Sequence, residues 1–297
     1  MSRLLPLFPA LFVLLWSTGF VGARYAMPHA EPFTFLSLRY ALALAILLPV
    51  ALWAARTHHA RLPALAHAAF AGSLIHAAYL GGVFFAVRHG LPAGIAALVA
   101  GLQPLITAVI AHGLLGERLE RRHWIGLAVG LGGVALVVAP KLGTGAAFGP
   151  ATLVPAVVAV IAISLGTVWQ KRFVGTVDLR IGTAAQYAGA LLPTLMAAFF
   201  FETRVIDWTP QFVLALVWLT LALSIGAVFL LLILIRRGAV SRVASLMYLV
   251  PGVTAVMGFV LFGETLQPVQ ILGMAFAAGG VAAATGALGR RRSARGT

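Results

Sequence analysis

Long apolar runs separated by short polar connections follow one another along nearly the whole chain. Each run is long enough to cross about 30 Å of hydrocarbon as a helix, and runs of this length are typical of transmembrane helices. Ten spans are predicted, at residues 5–25, 33–54, 64–86, 93–113, 124–139, 151–170, 182–201, 212–235, 241–261 and 269–288. The pattern therefore predicts an all-α integral membrane protein with ten transmembrane helices.

The same pattern occurs twice, at a constant offset of 147 positions. Segment 104–109 (PLITAV) corresponds to 251–256 (PGVTAV), and 132–135 (GGVA) corresponds to 279–282 (GGVA). Self-similarity at one fixed offset indicates a duplicated unit. We therefore expect two five-helix repeats, 1–140 and 151–289, joined by a linker at 141–150 and followed by a basic tail at 290–297.

An odd number of helices in each repeat has a topological consequence. The second repeat must begin on the opposite side of the membrane, so the two repeats are expected to have inverted topology. Proteins built in this way commonly bind their substrate near the middle of the bilayer and expose it to each side in turn. The sequence thus favours a carrier that works by alternating access.

Composition supports a membrane location, and charge sets the predicted orientation. Hydrophobic residues make up 61% of the chain and charged residues 9%, against about 45–50% and about 25% in soluble domains. The net charge of +14 arises mainly from connections on one side of the predicted spans, which predicts cytoplasmic termini and argues against a nucleic-acid partner. Expected partners are a small-molecule substrate and the lipid bilayer, with the chain a monomer or a homodimer. The absence of cysteine excludes disulfides.

Polar and aromatic side chains inside the spans are the candidates for a substrate site. Ser73, His76 and Tyr79 follow at three-residue spacing and should share one helix face, although a histidine bonded to a neighbouring helix is a structural alternative. The predicted substrate-binding residues are Trp16, Ser17, Ser73, His76, Tyr79, Gln103, Ser164, Ser224, Ser245 and Tyr248.

Helix breaks at corresponding positions of the two halves also indicate a binding region. A proline within a span frees a backbone carbonyl that must find another partner or a watery cavity. Pro104 and Pro251 are such a pair, and paired breaks accompany substrate sites in transporters with repeats. The predicted gating or helix-break residues are Pro104, Pro251, Gly81 and Gly226.

Ionisable residues at membrane depth are few. Arg39 lies about two turns into the second span, where pairing with another group or snorkelling to the interface is expected; its repeat partner is Gln186. All seven acids are placed at span ends or in connections. Glu117 and Glu264 are expected to pair with basic groups or to cap the next helix. Movement of substrate down its own gradient is therefore preferred, with proton coupling through His76 as the alternative.

Other classes of function fit the sequence less well. Clustered aspartates for magnesium, or histidine and glutamate at zinc-binding spacing, would favour an intramembrane enzyme. Neither pattern occurs, so no catalytic residue, metal or cofactor is predicted. Channels more often use charge-ringed, oligomeric pores than two inverted repeats in one chain.

Several segments resemble the EamA repeat of the drug/metabolite transporter superfamily. They are 16–20 (WSTGF), 31–40, Gln103-Pro104, 115–119 (LGERL) and 132–134, with weaker counterparts at 250–251, 262–264 and 279–280. The resemblance is nearest to bacterial YddG-type exporters of aromatic and other neutral amino acids. It implies ten helices, a cavity bounded mainly by spans 1, 3, 4, 6, 8 and 9, and export across an inner membrane. A carrier of a purine, a sugar derivative or a toxic cation is the alternative.

Overall fold

The computed structural model describes residues 8–116, 119–138, 149–175, 177–227, 230 and 249–284, and its regular elements are helices. In chain order they are α1 (Phe8–Ala26), α2 (Pro32–Ala55), α3 (Leu62–Gly72), π1 (Ser73–Ala78), α4 (Tyr79–Arg88), α5 (Ala93–Ala100), α6 (Gln103–Leu115), α7 (Arg121–Val138), α8 (Pro150–Phe173), α9 (Leu179–Phe201), α10 (Pro210–Trp218), π2 (Leu219–Ala227), α11 (Val250–Phe262) and α12 (Pro268–Ala284). π1 and π2 are π-helical segments.

Six segments of the described chain are long and apolar enough to cross a membrane. They are Pro32–Ala55, Leu62–Arg88, Ala93–Leu115, Pro150–Phe173, Leu179–Phe201 and Pro210–Ala227. Shorter apolar helices occupy Ala10–Ala26, Val250–Phe262 and Pro268–Ala284, at the predicted first, ninth and tenth spans. The predicted all-helical membrane fold is confirmed, with six full-length spans among the described residues.

Proline and glycine set the helix ends where the sequence places them. The fourth predicted span is interrupted after Ala100, and α6 starts again at Gln103 with Pro104 in its first turn. Pro251 occupies the corresponding position in the first turn of α11. Gly116 and Gly263 end these helices with φ of 69° and 66°, a left-handed conformation that glycine adopts without steric cost. The interruption before Pro104 is thus observed, whereas residues 241–248 of the ninth span lie outside the described residues, so the matching break before Pro251 stays a prediction.

The two π-helical segments were not predicted, and they occupy equivalent positions of the two repeats. A shift of 147 residues carries Ser73–Ala78 of π1 onto 220–225, inside π2. π-helical turns are rare and often occur at functional sites. Both segments contain predicted site residues, Ser73 and His76 in π1 and Ser224 and Gly226 in π2.

The chain forms two compact units, and each unit contains helices from both halves of the sequence. Unit 1 comprises Met1–Val21, Gly90–Pro150 and Ile225–Thr297, and unit 2 comprises Gly22–His89 and Ala151–Ser224. The sequence repeats therefore do not form separate units. Equivalent helices such as α2 and α9, or α7 and α12, lie within the same unit instead, whereas most of α1 lies in unit 1 and nearly all of its equivalent α8 lies in unit 2.

Unit 2 pairs the equivalent helices α2 and α9 in opposite directions. Glu31, just before α2, accepts hydrogen bonds from the backbone N–H and the hydroxyl of Thr203, just after α9. At the other end, His58 follows α2 and lies 3.9 Å from Asp178, which precedes α9. Because the start of each helix meets the end of the other, α2 and α9 are antiparallel.

Unit 1 pairs α7 and α12 in the same way, through glycines at equivalent positions. A Cβ on Gly126 would lie 2.5 Å from the carbonyl oxygen of Gly280, and one on Gly133 would lie 2.5 Å from that of Gly273. The earlier glycine of α7 contacts the later glycine of α12, and the later glycine of α7 contacts the earlier one of α12, so these helices are also antiparallel. Small residues allow such close backbone contact in membranes. Antiparallel pairing of equivalent helices in both units is the arrangement that inverted repeats require.

Carboxylates cap helices that are distant in sequence. Glu264, after α11, accepts a hydrogen bond of 3.3 Å from the N–H of Ala93 at the start of α5. It therefore caps a helix of the first half, whereas it was expected from the sequence to cap the next helix or to pair with a basic group. Glu117 lies outside the described residues. Glu202 accepts from the N–H groups of Phe33 and Thr34 at 2.8 and 2.7 Å, at the start of α2.

Removal of the Glu202 carboxylate is expected to destabilise the protein. Glu202→Ala deletes three hydrogen bonds, including one of 2.8 Å from the Thr34 hydroxyl, and leaves two N–H groups at the α2 terminus without this acceptor, at a cost of about 2 kcal/mol. Thermal unfolding in detergent should show a melting temperature several degrees lower. Asp207→Ala is the matched control because Asp207 pairs with His29 while 67% exposed, and such pairs contribute about 0–1 kcal/mol. Equal losses in both variants would contradict the capping role.

Candidate functional site

Six polar or aromatic side chains of unit 2 form a connected group, here called the polar cluster. Its members are Arg39, Tyr40, His76, Gln186, Tyr187 and Ser224. The His76 and Tyr187 rings stack with centroids 4.8 Å apart and planes 8° from parallel. The Tyr40 hydroxyl donates a 2.9 Å hydrogen bond to the backbone carbonyl of His76. The cluster therefore joins α2 and α9 to both π-helical segments.

The centre of the cluster reflects the sequence duplication. Tyr40 and Tyr187 are 147 positions apart, and their ring centroids are 5.7 Å apart. Arg39 and Gln186 are the equivalent residues immediately before them. Equivalent residues that contact each other lie near a local two-fold axis, which is where inverted repeats place substrate sites.

Arg39 is the charged member of the cluster and is 4% exposed. One terminal nitrogen donates a 3.1 Å hydrogen bond to Ser224 Oγ, and Nε has no hydrogen-bond partner among the described residues. Ser224 Oγ in turn lies 3.2 Å from the carbonyl oxygen of Leu219. The predicted pairing of Arg39 is confirmed, and the snorkelling alternative is wrong because the side chain is enclosed within unit 2.

A pocket of about 420 Å³, lined by both polar and apolar residues, lies between the end of α8 and the beginning of α9. Its volume falls within the range of small-molecule sites. The lining residues are Thr167, Gln170, Lys171, Val174, Gly175, Val177, Leu179, Gly182, Thr183 and Gln186. The Gln186 side chain also lies close to that of His76, so one residue belongs to both the pocket and the polar cluster.

Charged groups surround the connection beside the pocket. Asp178 caps α9 by accepting from the N–H of Arg180, and its carboxylate also accepts from the Arg180 guanidinium at 3.0 and 3.1 Å. These bonds from Arg180 lower the pKa of Asp178 to about 2. Asp178 is thus held in its charged form at physiological pH, and the positive charges of this connection remain in excess.

This lowered pKa predicts a pH dependence of stability. The Asp178 carboxyl has a pKa of about 3.9 in an unfolded chain, so its stabilising contribution is complete above about pH 4 and is lost as pH falls toward 2. Asp178→Asn lacks this contribution. The difference in melting temperature between the natural chain and this variant should shrink between pH 4 and pH 2. A constant difference across that range would contradict the prediction.

Several of the predicted site residues lie in unit 2, and two belong to the polar cluster. His76 and Ser224 are cluster members, whereas Ser73 Oγ lies 2.8 Å from the carbonyl oxygen of Gly189 in α9. Tyr79 is half-buried at the start of α4, and Ser164 is fully buried in α8. Gly81 lies in α4, where a Cβ would lie 2.7 Å from the Phe33 ring.

Other predicted residues lie in unit 1. Ser17 is fully buried in α1, with Oγ 2.8 Å from the carbonyl oxygen of Val13 and 3.4 Å from that of Val250. It therefore lies beside the start of α11, next to Pro251. Trp16 packs against Phe12 with ring centroids 5.5 Å apart. Gln103 and Pro104 begin α6, and Gly226 lies in π2. Ser245 and Tyr248 lie outside the described residues.

Sequence reasoning selected two of the six cluster members, His76 and Ser224, and none of the pocket residues as substrate-binding residues. Tyr40, Gln186 and Tyr187 carried a signal, because the duplication aligns Arg39-Tyr40 with Gln186-Tyr187 and keeps a tyrosine in each. Thr167 and Thr183 carried none, since isolated threonines are ordinary in membrane helices. Their role in the pocket depends on the packing of α8 against α9.

Comparison with known proteins agrees with this architecture. The profile described as the EamA-like transporter family matches twice, at residues 6–139 and 151–286. The chain belongs to this family. Its fold also matches a solved crystal structure with a TM-score of 0.66 and 26% identity, covering 96% of this chain and 97% of the other. The chain is thus a multi-pass membrane transporter of the EamA type.

Three relatives carry informative descriptions. The uncharacterized inner membrane transporter YedA of Escherichia coli K12 is 29% identical, over 92% of this chain and 88% of the relative. A probable amino-acid metabolite efflux pump of Salmonella typhimurium is 24% identical, over 92% of each chain. A probable terminal-alkyne amino-acid exporter of Streptantibioticus cattleyicolor is 32% identical, over 69% of this chain and 68% of the relative.

Proposed function

We propose that this transporter exports small metabolites, with aromatic and other neutral amino acids as the favoured substrates. The observation that carries the proposal is the polar cluster of unit 2, which offers an aromatic stack and polar groups beside a pocket of small-molecule size. Two relatives described as amino-acid exporters support the same substrate class. Export would occur across a cell inner membrane, with both termini in the cytoplasm.

The chemistry of the pocket and cluster suits a zwitterion with an apolar or aromatic side chain. Hydroxyl and amide groups of Thr167, Thr183 and Gln186 can exchange hydrogen bonds with polar groups of the substrate. The rings of His76 and Tyr187 offer an apolar surface. Lys171 in the last turn of α8 and Arg180 in the first turn of α9 flank the connection beside the pocket. The positive-inside rule assigns that connection to the cytoplasm, where an exporter loads its cargo.

The mechanism is proposed to be alternating access without an energy-coupling ion. Inverted repeats allow equivalent helices to exchange conformations, which exposes the site to each side in turn. Coupled carriers usually keep ionisable groups at membrane depth for the ion. The six acids of the described residues lie at helix ends or in connections. Substrate would therefore move down its own gradient.

Counterflow in proteoliposomes tests this function directly. Purified protein is reconstituted into vesicles loaded with unlabelled phenylalanine, and labelled phenylalanine is added outside. A carrier should accumulate label transiently inside, because internal substrate keeps the sites cycling, whereas a channel would give simple equilibration. Vesicles without protein are the control. Label uptake that is independent of internal substrate would contradict the carrier mechanism, and no uptake of any neutral amino acid would contradict the substrate class.

The alternative is a carrier of another small metabolite, coupled to protons through His76. His76 supports it because it is the histidine of the polar cluster and stacks on Tyr187. An imposed pH gradient distinguishes the two mechanisms. Uncoupled transport predicts no uphill accumulation of label under this gradient, either by the natural chain or by His76→Gln. Uphill uptake in the natural chain that His76→Gln abolishes would establish the alternative.

A further inference from the structure

We propose that Arg39 binds the carboxylate of the transported substrate, so that the chain selects carboxylate-bearing metabolites over amines of the same size. This inference rests on the proposed function of amino-acid export and adds a recognition residue and a charge requirement to it. It departs from the sequence-based expectation, in which Arg39 was favoured as a structural residue. Three observations carry it: the burial of Arg39, its free donor, and the positions of the acids.

Arg39 carries a positive charge that it cannot lose in this environment. Its side chain is 4% exposed, and it lies seven residues after the start of α2, about 10 Å along the helix axis. A guanidinium stays protonated in proteins. A buried charge is costly unless an opposite charge and hydrogen bonds compensate it. The site therefore favours an anion.

The hydrogen bonds described for Arg39 leave donor capacity for such an anion. A guanidinium presents five N–H donors in a planar fork. The described bond goes to the neutral hydroxyl of Ser224 at 3.1 Å, and buried Nε has no partner in the part of the chain that the structure describes. A carboxylate matches the geometry of this fork because it can accept two parallel hydrogen bonds. An orphaned buried donor on a charged group is the feature expected of a site whose ligand is absent.

The carboxylates of the described residues are engaged at other places. The chain has seven acids, of which six are described. Their partners are Thr203 for Glu31, Arg122 for Glu120, Arg180 for Asp178, Phe33 and Thr34 for Glu202, His29 for Asp207, and Ala93 for Glu264. Within the described part of the chain, the neutralising carboxylate of Arg39 is therefore expected to come from a ligand.

The surroundings of Arg39 fit the rest of an amino acid. Tyr187, stacked on His76, also lies close to Ser224, the partner of Arg39. An aromatic side chain could pack against this stack. Gln186 lines the pocket and lies close to His76 of the cluster, and its amide oxygen can accept a hydrogen bond from an ammonium group. On this proposal, substrate passes from the pocket past Gln186 to reach Arg39, which does not itself line the pocket.

The first experiment uses the natural chain and three matched compounds. Phenylalanine, 3-phenylpropionate and phenethylamine share the aromatic ring, but the second lacks the ammonium and the third lacks the carboxylate. Each unlabelled analogue competes with labelled phenylalanine in counterflow. We expect 3-phenylpropionate to inhibit at concentrations at least about tenfold lower than phenethylamine. Equal inhibition, or stronger inhibition by phenethylamine, would overturn the assignment of Arg39 while leaving amino-acid transport established.

The second experiment uses variants of Arg39 and a direct binding readout. Stabilisation of purified protein by each compound is measured as the shift in melting temperature. Arg39→Gln should lose the shift caused by phenylalanine and by 3-phenylpropionate, whereas Arg39→Lys should keep part of it because the charge remains. Arg172→Gln removes an exposed charge outside the pocket and cluster and should keep the full shift. An undiminished shift in a folded Arg39→Gln variant would contradict the proposal.

A further result distinguishes a substrate carboxylate at Arg39 from a chloride ion. Another distinguishes failure of this inference from failure of the proposed function. If replacement of chloride by sulfate abolishes phenylalanine counterflow by the natural chain, the anion at Arg39 is chloride and the assignment to the substrate is wrong. If the natural chain transports no amino acid at all, the proposed function fails together with the inference. Transport by the natural chain with equal competition by all three compounds would disprove the inference alone.

Discussion

Gly189→Val is expected to prevent the protein from folding stably. A Cβ at Gly189 would overlap the backbone of Ala69 in α3, and one at Gly72 would overlap the backbone of Gln186 in α9. Backbone atoms cannot move aside as flexible side chains can, so α3 and α9 would have to separate. The 2.8 Å bond between Ser73 and the Gly189 carbonyl would then be lost. We expect a destabilisation of more than about 3 kcal/mol.

Size-exclusion profiles and thermal unfolding in detergent would measure this effect. Gly132→Val in α7 is the matched control, because a Cβ at Gly132 has no atom within 4 Å among the described residues. The control should give a single peak and a melting temperature within a few degrees of the natural chain. A normal profile for Gly189→Val would mean that α3 and α9 are not in close contact.

Thr183→Trp is expected to reduce transport at least about tenfold while the protein stays folded. Thr183 lines the pocket between α8 and α9, and its hydroxyl bonds only to a carbonyl of its own helix, that of Leu179, in the described contacts. An indole at this position would fill much of a pocket of about 420 Å³. If substrate reaches the polar cluster through this pocket, its entry is blocked.

The control for this variant is Leu192→Trp on the same helix. Leu192 is 64% exposed, so a larger apolar side chain there extends outward and should leave both stability and transport unchanged. Initial rates of phenylalanine counterflow, normalised to reconstituted protein, provide the comparison. Normal transport by Thr183→Trp would exclude the α8–α9 pocket from the substrate route.

The parts of the fold that could be predicted from sequence are those with local physical causes. Span positions follow from apolar length, and the interruption before Pro104 follows from the missing N–H of proline. The constant offset of 147 residues predicted inverted repeats, and the antiparallel pairs α2 with α9 and α7 with α12 agree with that prediction. Each of these features is encoded within a helix or by direct repetition.

The candidate site depended on contacts that the sequence pattern does not contain. Ser73 and His76 were predicted on an α-helical face, but π1 gives this turn i→i+5 hydrogen bonds. Position in the span alone left snorkelling open for Arg39, whereas the structure encloses it beside Ser224, 185 residues away in sequence. The interleaving of the two halves in each unit was also not predicted, because the duplication reveals equivalence but not which helices pack together.

Labelling of single cysteines tests the inverted architecture most directly, and the natural chain contains no cysteine. His58 and Val205 are equivalent positions, 147 residues apart, and both are exposed after equivalent helices. His58→Cys should react with an impermeant maleimide only after the membrane is opened, whereas Val205→Cys should react in intact cells. Labelling of both cysteines from the same side would contradict the inverted repeats and the carrier mechanism that depends on them.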